Sequence, residues 1–213
     1  MSEIVARLGQ IGLVPVVRLE RVEDAVPLGE ALVRGGLPCA EITFRTAAAP
    51  EAIARLVTAR PDMVVGAGTV LNVQQARQAS DAGAAFVVSP GFSPQVVDWC
   101  LEREMPVLPG VVTPTEIMAG LDRGLRIFKF FPAEAYGGIG TIKALSAPFG
   151  GVRFMPTGGI SAKNLADYLA LPAVHAVGGS WMVEGKLIAG EEWDEIARLA
   201  AEACAVVRRV RGG

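Results

Sequence analysis

The chain is poor in the residues that build metal and disulfide sites. It has one histidine, His175, among 213 residues, and its three cysteines are far apart and form no CxxC pair. A zinc site needs several histidine or cysteine ligands at short spacing, so we expect no metal ion and no metal catalysis. Scattered cysteines, odd in number, are typical of reduced core residues, which we expect of Cys39, Cys100 and Cys204.

Net charge and long apolar runs are also lacking. The formal charge is -2 and the pI is near 5.6, which gives no electrostatic attraction to nucleic acid or to an acidic membrane surface. No apolar run is long enough to cross a bilayer, and the amino terminus has no signal-peptide pattern. We therefore expect a cytoplasmic protein with no nucleic-acid and no membrane partner.

The composition suits a single core. With 51% hydrophobic and 20% charged residues, the chain can bury a good-sized core and keep a polar surface. The length would also allow two domains, but we predict a single domain over residues 1–213.

A unit of short apolar strand, turn and amphipathic helix repeats along the chain. Alternating strands and helices predict a parallel sheet, and eight units in about 200 residues predict a (β/α)8 TIM barrel. Ser2 is a candidate N-cap for an additional N-terminal helix over 3–10. A doubly wound open sheet is the alternative, which the even spacing and the lack of a GxGxxG opening disfavour. The predicted strands start 20 to 26 residues apart, at Leu13, Cys39, Met63, Ala85, Pro106, Arg126, Val152 and His175.

The stretch RIFKFFPAE, residues 126–134, contains one lysine within an apolar strand. Successive side chains of a strand point to opposite faces, so Ile127, Lys129 and Phe131 share one face. Pro132 ends the strand, which puts Lys129 near the carboxyl end, where α/β folds bind ligands. Either the lysine snorkels from a strand edge with its ammonium in water, or it is a desolvated amine that attacks a carbonyl to form a Schiff base.

The second strand, AEITFRT, carries a carboxylate and a guanidinium on one predicted face. Period-two alternation groups Glu41, Thr43 and Arg45. Charges on an inward face are costly to bury unless they pair, so one interpretation is a structural ion pair, for example between Glu41 and Lys129. The other is a site in which Lys129 is the nucleophile, Glu41 moves protons and Arg45 binds a substrate carboxylate. The carboxylate of Glu41 favours the protonated form of Lys129, whereas the guanidinium of Arg45 disfavours it, and the sequence leaves open which effect is larger.

Small-residue turns follow the third, seventh and eighth strands. GAGTV offers Thr69 behind two glycines, which let another group approach the backbone closely. The pairs Gly158-Gly159 and Gly178-Gly179, the latter followed by Ser180, come after strands seven and eight, where (β/α)8 enzymes commonly bind phosphate. One glycine pair usually marks only a turn, but two pairs at these strands favour a phosphate site.

Six motifs together resemble one enzyme family. ITFRT, GAGTV, SPG, FKFFPAE, PTGGI and GGSW occur in this order over most of the chain, and they closely resemble the 2-keto-3-deoxy-6-phosphogluconate (KDPG) and 4-hydroxy-2-oxoglutarate (KHG) aldolases. The resemblance implies a homotrimeric (β/α)8 class I aldolase of Entner-Doudoroff carbohydrate metabolism, with neither metal nor cofactor. Its small-molecule partners would be KDPG, pyruvate and glyceraldehyde 3-phosphate.

The resemblance also implies a role for each matched residue. Lys129 would form the Schiff base, and Glu41 would act as acid and base. Arg18, in VVRLE at the end of the first strand, would bind substrate in a region where such enzymes vary. Arg45 and Thr69 would bind the pyruvate carboxylate, and Thr157 would lie near the aldehyde half. The distal phosphate would be bound by Gly158, Gly159, Gly179 and Ser180.

Three functions are compatible with these motifs. The first is reversible cleavage of KDPG to pyruvate and glyceraldehyde 3-phosphate. The second keeps the pyruvate half and changes the substrate to 4-hydroxy-2-oxoglutarate or 2-keto-3-deoxy-6-phosphogalactonate. The third belongs to another class, a non-catalytic phosphosugar-binding barrel or an isomerase with Glu41 alone as base, which would form no imine. His175 opens the eighth strand, at the opposite end of the barrel, and we expect it to be structural.

Overall fold

The structure is a computed structural model that describes residues 2–212. Strands β1 to β9 are Leu13–Val17, Cys39–Thr43, Val64–Gly68, Val87–Val88, Val107–Leu108, Gly110–Val111, Ile127–Phe130, Arg153–Pro156 and Val177–Gly179. Helices α1 to α10 are Glu3–Ile11, Ala25–Arg34, Ala49–Ala59, Val73–Asp81, Pro94–Leu101, Pro114–Leu121, Gly138–Ser146, Leu165–Leu169, Gly185–Ala189 and Trp193–Arg211. Short 3-10 helices lie at Val22–Asp24, Glu134–Tyr136 and Trp181–Val183.

The strands of residues 2–212 pair in parallel. The first strand, β1, pairs with β2 on one side and with the last strand, β9, on the other. The order continues from β2 through β3 and β4 to β5, while β6, β7 and β8 form a second run. Because the first and last strands are neighbours, the sheet curls round on itself. The protein therefore has an α/β fold with a curled parallel sheet, and the carboxyl ends of the strands share one rim.

The fifth predicted strand, PVLPG, is divided at Pro109 into β5 and β6. The first piece pairs with β4 and the second with β7. Proline has no backbone N–H to donate within a ladder, but the carbonyl of Pro109 still accepts the N–H of Lys129 at 3.0 Å. The fifth predicted strand therefore pairs with two neighbouring strands, and it is interrupted at Pro109, which has no N–H to donate.

Alternation along β7 separates its two faces. Phe128 packs outward against α6, where a Cβ added to Gly120 would lie 2.6 Å from the ring atom Cζ. Phe130 meets the ring of Phe154 on β8 edge-on, with centroids 6.2 Å apart. Lys129, between these two phenylalanines, points to the interior. The period of two that fills the sheet–helix interface with aromatic rings thus also directs the lysine inward.

Local capping sets where several helices begin. The side chain of Ser2 accepts the N–H of Val5 at 3.3 Å and starts α1, as predicted. Helix α6 begins at Pro114. Thr113 and Glu116 form a capping box there, and proline is favoured in a first turn because its missing N–H needs no partner.

Residues 2–212 contain no helix with the length and hydropathy needed to cross a bilayer. Over the same range, no three histidine, cysteine or acidic side chains come together as a metal site. Cys39, Cys100 and Cys204 are free and buried in the core, as predicted. Burial raises the pKa of the Cys100 thiol to about 12, so this thiol stays protonated at neutral pH.

His175 joins the amino-terminal helix to the sheet at the end opposite the carboxyl rim. It is 3% exposed, and its Nε2 lies 2.7 Å from the carbonyl oxygen of Val5 in α1. Its Nδ1 is buried and has no partner within residues 2–212. Burial lowers the pKa of His175, because a protonated ring would carry a second N–H without an acceptor. These contacts support the predicted structural role.

We predict that the stability of the protein decreases as the pH falls through the range in which histidine titrates. The unfolded state takes up a proton near the ordinary pKa of 6.5, whereas folded His175 resists it. Stability therefore depends on the unprotonated ring, is complete above about pH 7, and is progressively lost below the unfolded-state pKa. Urea denaturation at pH 7.5, 6.5 and about 5.5 measures this.

The control is His175→Gln, whose amide can still donate to Val5 but does not titrate. Since the chain has no other histidine, its unfolding free energy should vary less over this range. Equal pH dependence in both proteins would contradict the assignment.

Candidate active site

A lysine and a glutamate meet inside the curled sheet. Lys129 lies on β7 and Glu41 on β2, and Nζ is 3.3 Å from Oε1. The two side chains are 4% and 0% exposed, so the pair is almost completely removed from water. The second oxygen of Glu41, Oε2, is buried without a hydrogen-bond partner within residues 2–212. A buried carboxylate oxygen without a donor is costly, and it is an acceptor available to a substrate hydroxyl or a water.

The strand next to Glu41 leaves room for its carboxylate. In the β2–β3 register Glu41 is opposite Gly66 and Thr43 is opposite Gly68. A Cβ added to Gly68 would overlap Oε1 and lie 2.5 Å from Cγ of Glu41. The glycine is therefore needed for close approach, as the GAG motif suggested, and its neighbour is the proton-transfer candidate itself.

A cavity of about 420 Å³ opens at the carboxyl rim of the sheet. Two guanidinium-bearing residues line it: Arg18 follows β1, and Arg45 follows β2. Both are exposed, and Arg18 is paired with Glu20 at 2.8 Å, whereas Arg45 forms no ion pair with any residue from 2 to 212. The other lining residues include Thr157, Gly158, Gly159, Gly178, Gly179 and Ser180. Most of the predicted substrate-binding residues therefore share one cavity with an available positive charge.

Lys129 and Glu41 do not line this cavity directly. Phe131 connects the cavity to the pair, since it lines the cavity and its ring centroid is 5.1 Å from Nζ of Lys129. Phe131 was predicted to share a strand face with Lys129, but no role was predicted for it. Glu184 also lines the cavity and was not foreseen, because it belongs to a loop without a recognisable motif.

The turn after β8 is closely packed against β9. A Cβ added to Gly178 would overlap Oγ1 of Thr157 and lie 3.1 Å from its Cβ. Gly158 and Gly159 have φ angles of 101° and 78°, a region that side chains with a Cβ rarely adopt. The predicted phosphate turns therefore meet at one side of the cavity, with Thr157 between them.

Thr69 lies immediately after β3, outside the cavity lining. Its φ angle is 56°, in the left-handed region that is costly for a β-branched residue. Because Thr43 and Gly68 are opposite each other, Thr69 and the segment leading to Arg45 leave neighbouring strands at the same level. Strain of this kind is concentrated at functional sites, which supports the prediction that Thr69 contributes to substrate binding.

A further cavity, of about 450 Å³, lies at the opposite end of the sheet. Its lining includes Val5 of α1, Ile127 at the start of β7 and Arg153 at the start of β8. It contains neither the buried amine nor its carboxylate partner. Parallel α/β enzymes bind substrate at the carboxyl rim, so we assign the candidate site to the cavity that contains Arg45.

Fold and site together define the class of protein. An amine held dry beside a carboxylate can form an imine with a carbonyl and exchange protons with it. An arginine-lined cavity beside the pair can hold an anionic substrate. We infer an enzyme of carbonyl chemistry on a parallel α/β fold.

Comparison with known proteins identifies the family. The family model described as KDPG and KHG aldolase matches residues 4–199, so the chain belongs to the KDPG and KHG aldolase family. A 2-dehydro-3-deoxy-phosphogluconate aldolase from Treponema pallidum is 50% identical over 207 residues, 97% of this chain and 99% of its own. The KHG/KDPG aldolase of Escherichia coli is 46% identical over 191 residues, 90% of each chain. The resemblance predicted from the motifs is thereby confirmed.

A solved structure from the same family is also similar. It is a KDPG aldolase from Legionella pneumophila with pyruvate captured at low pH as a covalent carbinolamine intermediate. It matches with a TM-score of 0.92 and 41% identity, over 95% of this chain and 98% of that chain.

We predict that Gly68→Ala destabilises the protein by forcing Glu41 away from Lys129. The added methyl overlaps a buried carboxylate that cannot retreat into water, and overpacking of this kind costs about 1–3 kcal/mol. Gly140→Ala in α7 is the matched control, because a Cβ there meets nothing within 4 Å. Urea denaturation should show a lower midpoint for Gly68→Ala only. An unchanged midpoint would contradict the close packing of Gly68 against Glu41.

Proposed function

We propose that the protein is a class I aldolase that cleaves KDPG reversibly to pyruvate and glyceraldehyde 3-phosphate, through a Schiff base on Lys129. The observation that carries this proposal is the dry contact between Lys129 and Glu41, 3.3 Å apart, beside an arginine-lined cavity. Membership of the KDPG and KHG aldolase family supports the choice of substrate class.

The bond changes follow from the two side chains. The neutral amine of Lys129 attacks the C2 ketone, and loss of water gives an iminium. Glu41 takes the proton of the C4 hydroxyl, the C3–C4 bond breaks, and its electron pair moves into the iminium to give an enamine. Glyceraldehyde 3-phosphate leaves. The enamine is then protonated at C3, and hydrolysis of the imine releases pyruvate and the free lysine.

The partner-free Oε2 of Glu41 supports its proton-transfer role. One carboxylate oxygen contacts Nζ of Lys129, while the other is buried without a donor within residues 2–212. A C4 hydroxyl reaching Oε2 would satisfy this oxygen and be aligned for proton transfer.

We further propose how the substrate is held. Arg45 binds the pyruvate carboxylate through its planar guanidinium, with Thr69 beside it. Thr157 lies near the aldehyde half. The phosphate lies on Gly158, Gly159, Gly179 and Ser180, with Arg18 at the rim; all of these except Thr69 line the same cavity.

The complete architecture is also a proposal. We propose a closed (β/α)8 barrel with an additional N-terminal helix, in a single domain spanning the chain. Isolated parallel bridges between Phe154 and Val174 and between Thr157 and Gly178 support closure between β8 and β9. The pairings on either side of Pro109, with β4 and with β7, support closure at the other break in the sheet. A cytoplasmic homotrimer without cofactor or metal is proposed from family membership.

Two alternatives are distinguished by chemistry. 4-Hydroxy-2-oxoglutarate or 2-keto-3-deoxy-6-phosphogalactonate would use the same pyruvate half, and the first lacks the phosphate for which the glycine turns are suited. In a non-catalytic phosphosugar-binding barrel, or in an isomerase that uses Glu41 alone as base, the amine of Lys129 would have no function. Its burial would still cost desolvation free energy.

We predict that borohydride reduction in the presence of pyruvate attaches a reduced pyruvyl group to Lys129. Peptide mass spectrometry should locate the adduct there, and Lys129→Ala should remove both adduct and turnover. Glu41→Gln should still form the adduct but turn over about 10²- to 10⁴-fold more slowly, because the amide cannot accept the proton. An unmodified Lys129, or an adduct on another lysine, would rule out the mechanism.

We predict that a negative charge on the phosphate turn selectively impairs phosphorylated substrates. Ser180→Asp should lower kcat/KM for KDPG by at least about 10-fold through like-charge repulsion, with little change for 4-hydroxy-2-oxoglutarate. Ser180→Ala is the control for the lost hydroxyl. Measuring kcat/KM for KDPG, its galactonate epimer and 4-hydroxy-2-oxoglutarate also ranks the candidate substrates. An equal loss for all three would place the phosphate elsewhere.

A further inference from the structure

A partly buried hydrogen bond joins the FKFFPAE segment to helix α8. Glu134 is the last residue of that motif, and the mechanism above makes no use of it. The hydroxyl of Tyr168, on α8, donates to Oε1 of Glu134. Tyr168 is completely buried, whereas Glu134 is exposed overall. A completely buried tyrosine that donates to the side chain of an exposed residue holds that residue in one position.

Glu134 lies directly on the predicted phosphate turn. The N–H of Ala133 donates to the carbonyl of Thr157 at 2.8 Å, and the N–H of Glu134 donates to the carbonyl of Gly158 at 3.1 Å. A Cβ added to Gly159 would lie 2.6 Å from Cβ of Glu134. Displacement of Glu134 would therefore disturb the hydrogen bonds to the carbonyls of Thr157 and Gly158 and the packing against Gly159.

The other side of the turn is attached to the same helix. The side chain of Asn164, just before α8, donates to the carbonyl of Gly159 at 3.3 Å and accepts the N–H of Ser161 at 2.8 Å. The N–H of Tyr168 in turn donates to the carbonyl of Asn164 at 3.3 Å. Turn, helix and FKFFPAE segment thus form a closed loop of contacts that the Tyr168 hydroxyl completes.

The surroundings of this hydrogen bond keep it intact. A Cβ added to Gly138 would lie 2.7 Å from the hydroxyl of Tyr168 and 2.8 Å from Oε1 of Glu134, so the backbone covers the bond closely. Burial and the adjacent carboxylate of Glu134 also raise the pKa of Tyr168, and the hydroxyl stays a donor at neutral pH.

We propose that Glu134 and Tyr168 are positioning residues, which fix the turn of Thr157, Gly158 and Gly159 where it binds the substrate phosphate. The proposal rests on the proposed function for the identity of the ligand. It deepens that function by assigning a role in phosphate binding to two residues that do not line the cavity. Their effect on substrate is transmitted through the carbonyl contacts of the turn.

Hydrogen exchange tests the positioning without any substrate. In Tyr168→Phe the ring volume is retained and only the hydroxyl is lost, so the variant should fold. Peptides covering 157–161 should exchange several-fold faster than in the wild type, while peptides of β2 and β3 should be unchanged. Unchanged exchange of the turn would overturn the proposal.

Steady-state kinetics tests the consequence for phosphate binding. Tyr168→Phe and Glu134→Ala should each raise KM for KDPG by about 3- to 10-fold, the loss expected for one hydrogen bond, with a smaller change in kcat. For 4-hydroxy-2-oxoglutarate, which has no phosphate, KM should be unaffected. Glu134→Gln is the matched rescue, because its amide oxygen still accepts the Tyr168 hydroxyl, and it should resemble the wild type.

The outcomes separate this proposal from the proposed function. A wild type that cleaves KDPG, together with a Tyr168→Phe variant of unchanged KM, overturns the positioning role alone. Equal losses on both substrates overturn it as well, since they indicate general destabilisation. If the wild type does not cleave KDPG, the proposed function fails, and the exchange experiment still decides whether the Tyr168 hydroxyl fixes the turn.

Discussion

The arrangement of the site depends on excluding water from the amine of Lys129. Removing a lysine and a glutamate from water is costly, and a buried ion pair can often be replaced by apolar residues without loss of stability. Here the pair is retained, with one carboxylate oxygen 3.3 Å from Nζ and the other without a partner within residues 2–212. An arrangement that only filled the interior would not need this open acceptor, so chemistry is the better explanation of the pair.

The surrounding fold meets this requirement with ordinary sheet geometry. Alternation along β7 sends Phe128 and Phe130 to one face of the sheet and Lys129 to the interior face, and Gly68 on β3 gives Glu41 the space to reach the lysine. The parallel strands end at one rim, which brings Arg18 and Arg45 to a common cavity. The dry reactive pair and the positively charged, exposed cavity are therefore adjacent, with Phe131 between them.

Much of this could be predicted from the sequence, because the relevant signals are local. Period two placed Lys129 and Phe131 on one strand face, glycine pairs indicated the turns, and the spacing of the strands predicted a parallel α/β fold. The pairing of Glu41 with Lys129 was one interpretation of the sequence, but their contact spans 88 positions and depends on how far the sheet curls, which no local pattern encodes. The division of a strand at Pro109 and the bond between Glu134 and Tyr168 were missed for the same reason, since both depend on tertiary neighbours.

The most direct test of the account is a crystal structure of the protein soaked with pyruvate. Continuous electron density from C2 of pyruvate to Nζ of Lys129, with the pyruvate carboxylate on Arg45 and Glu41 still beside the new bond, is the result that the account predicts. Pyruvate bound without a covalent bond, or joined to a lysine elsewhere, would contradict it.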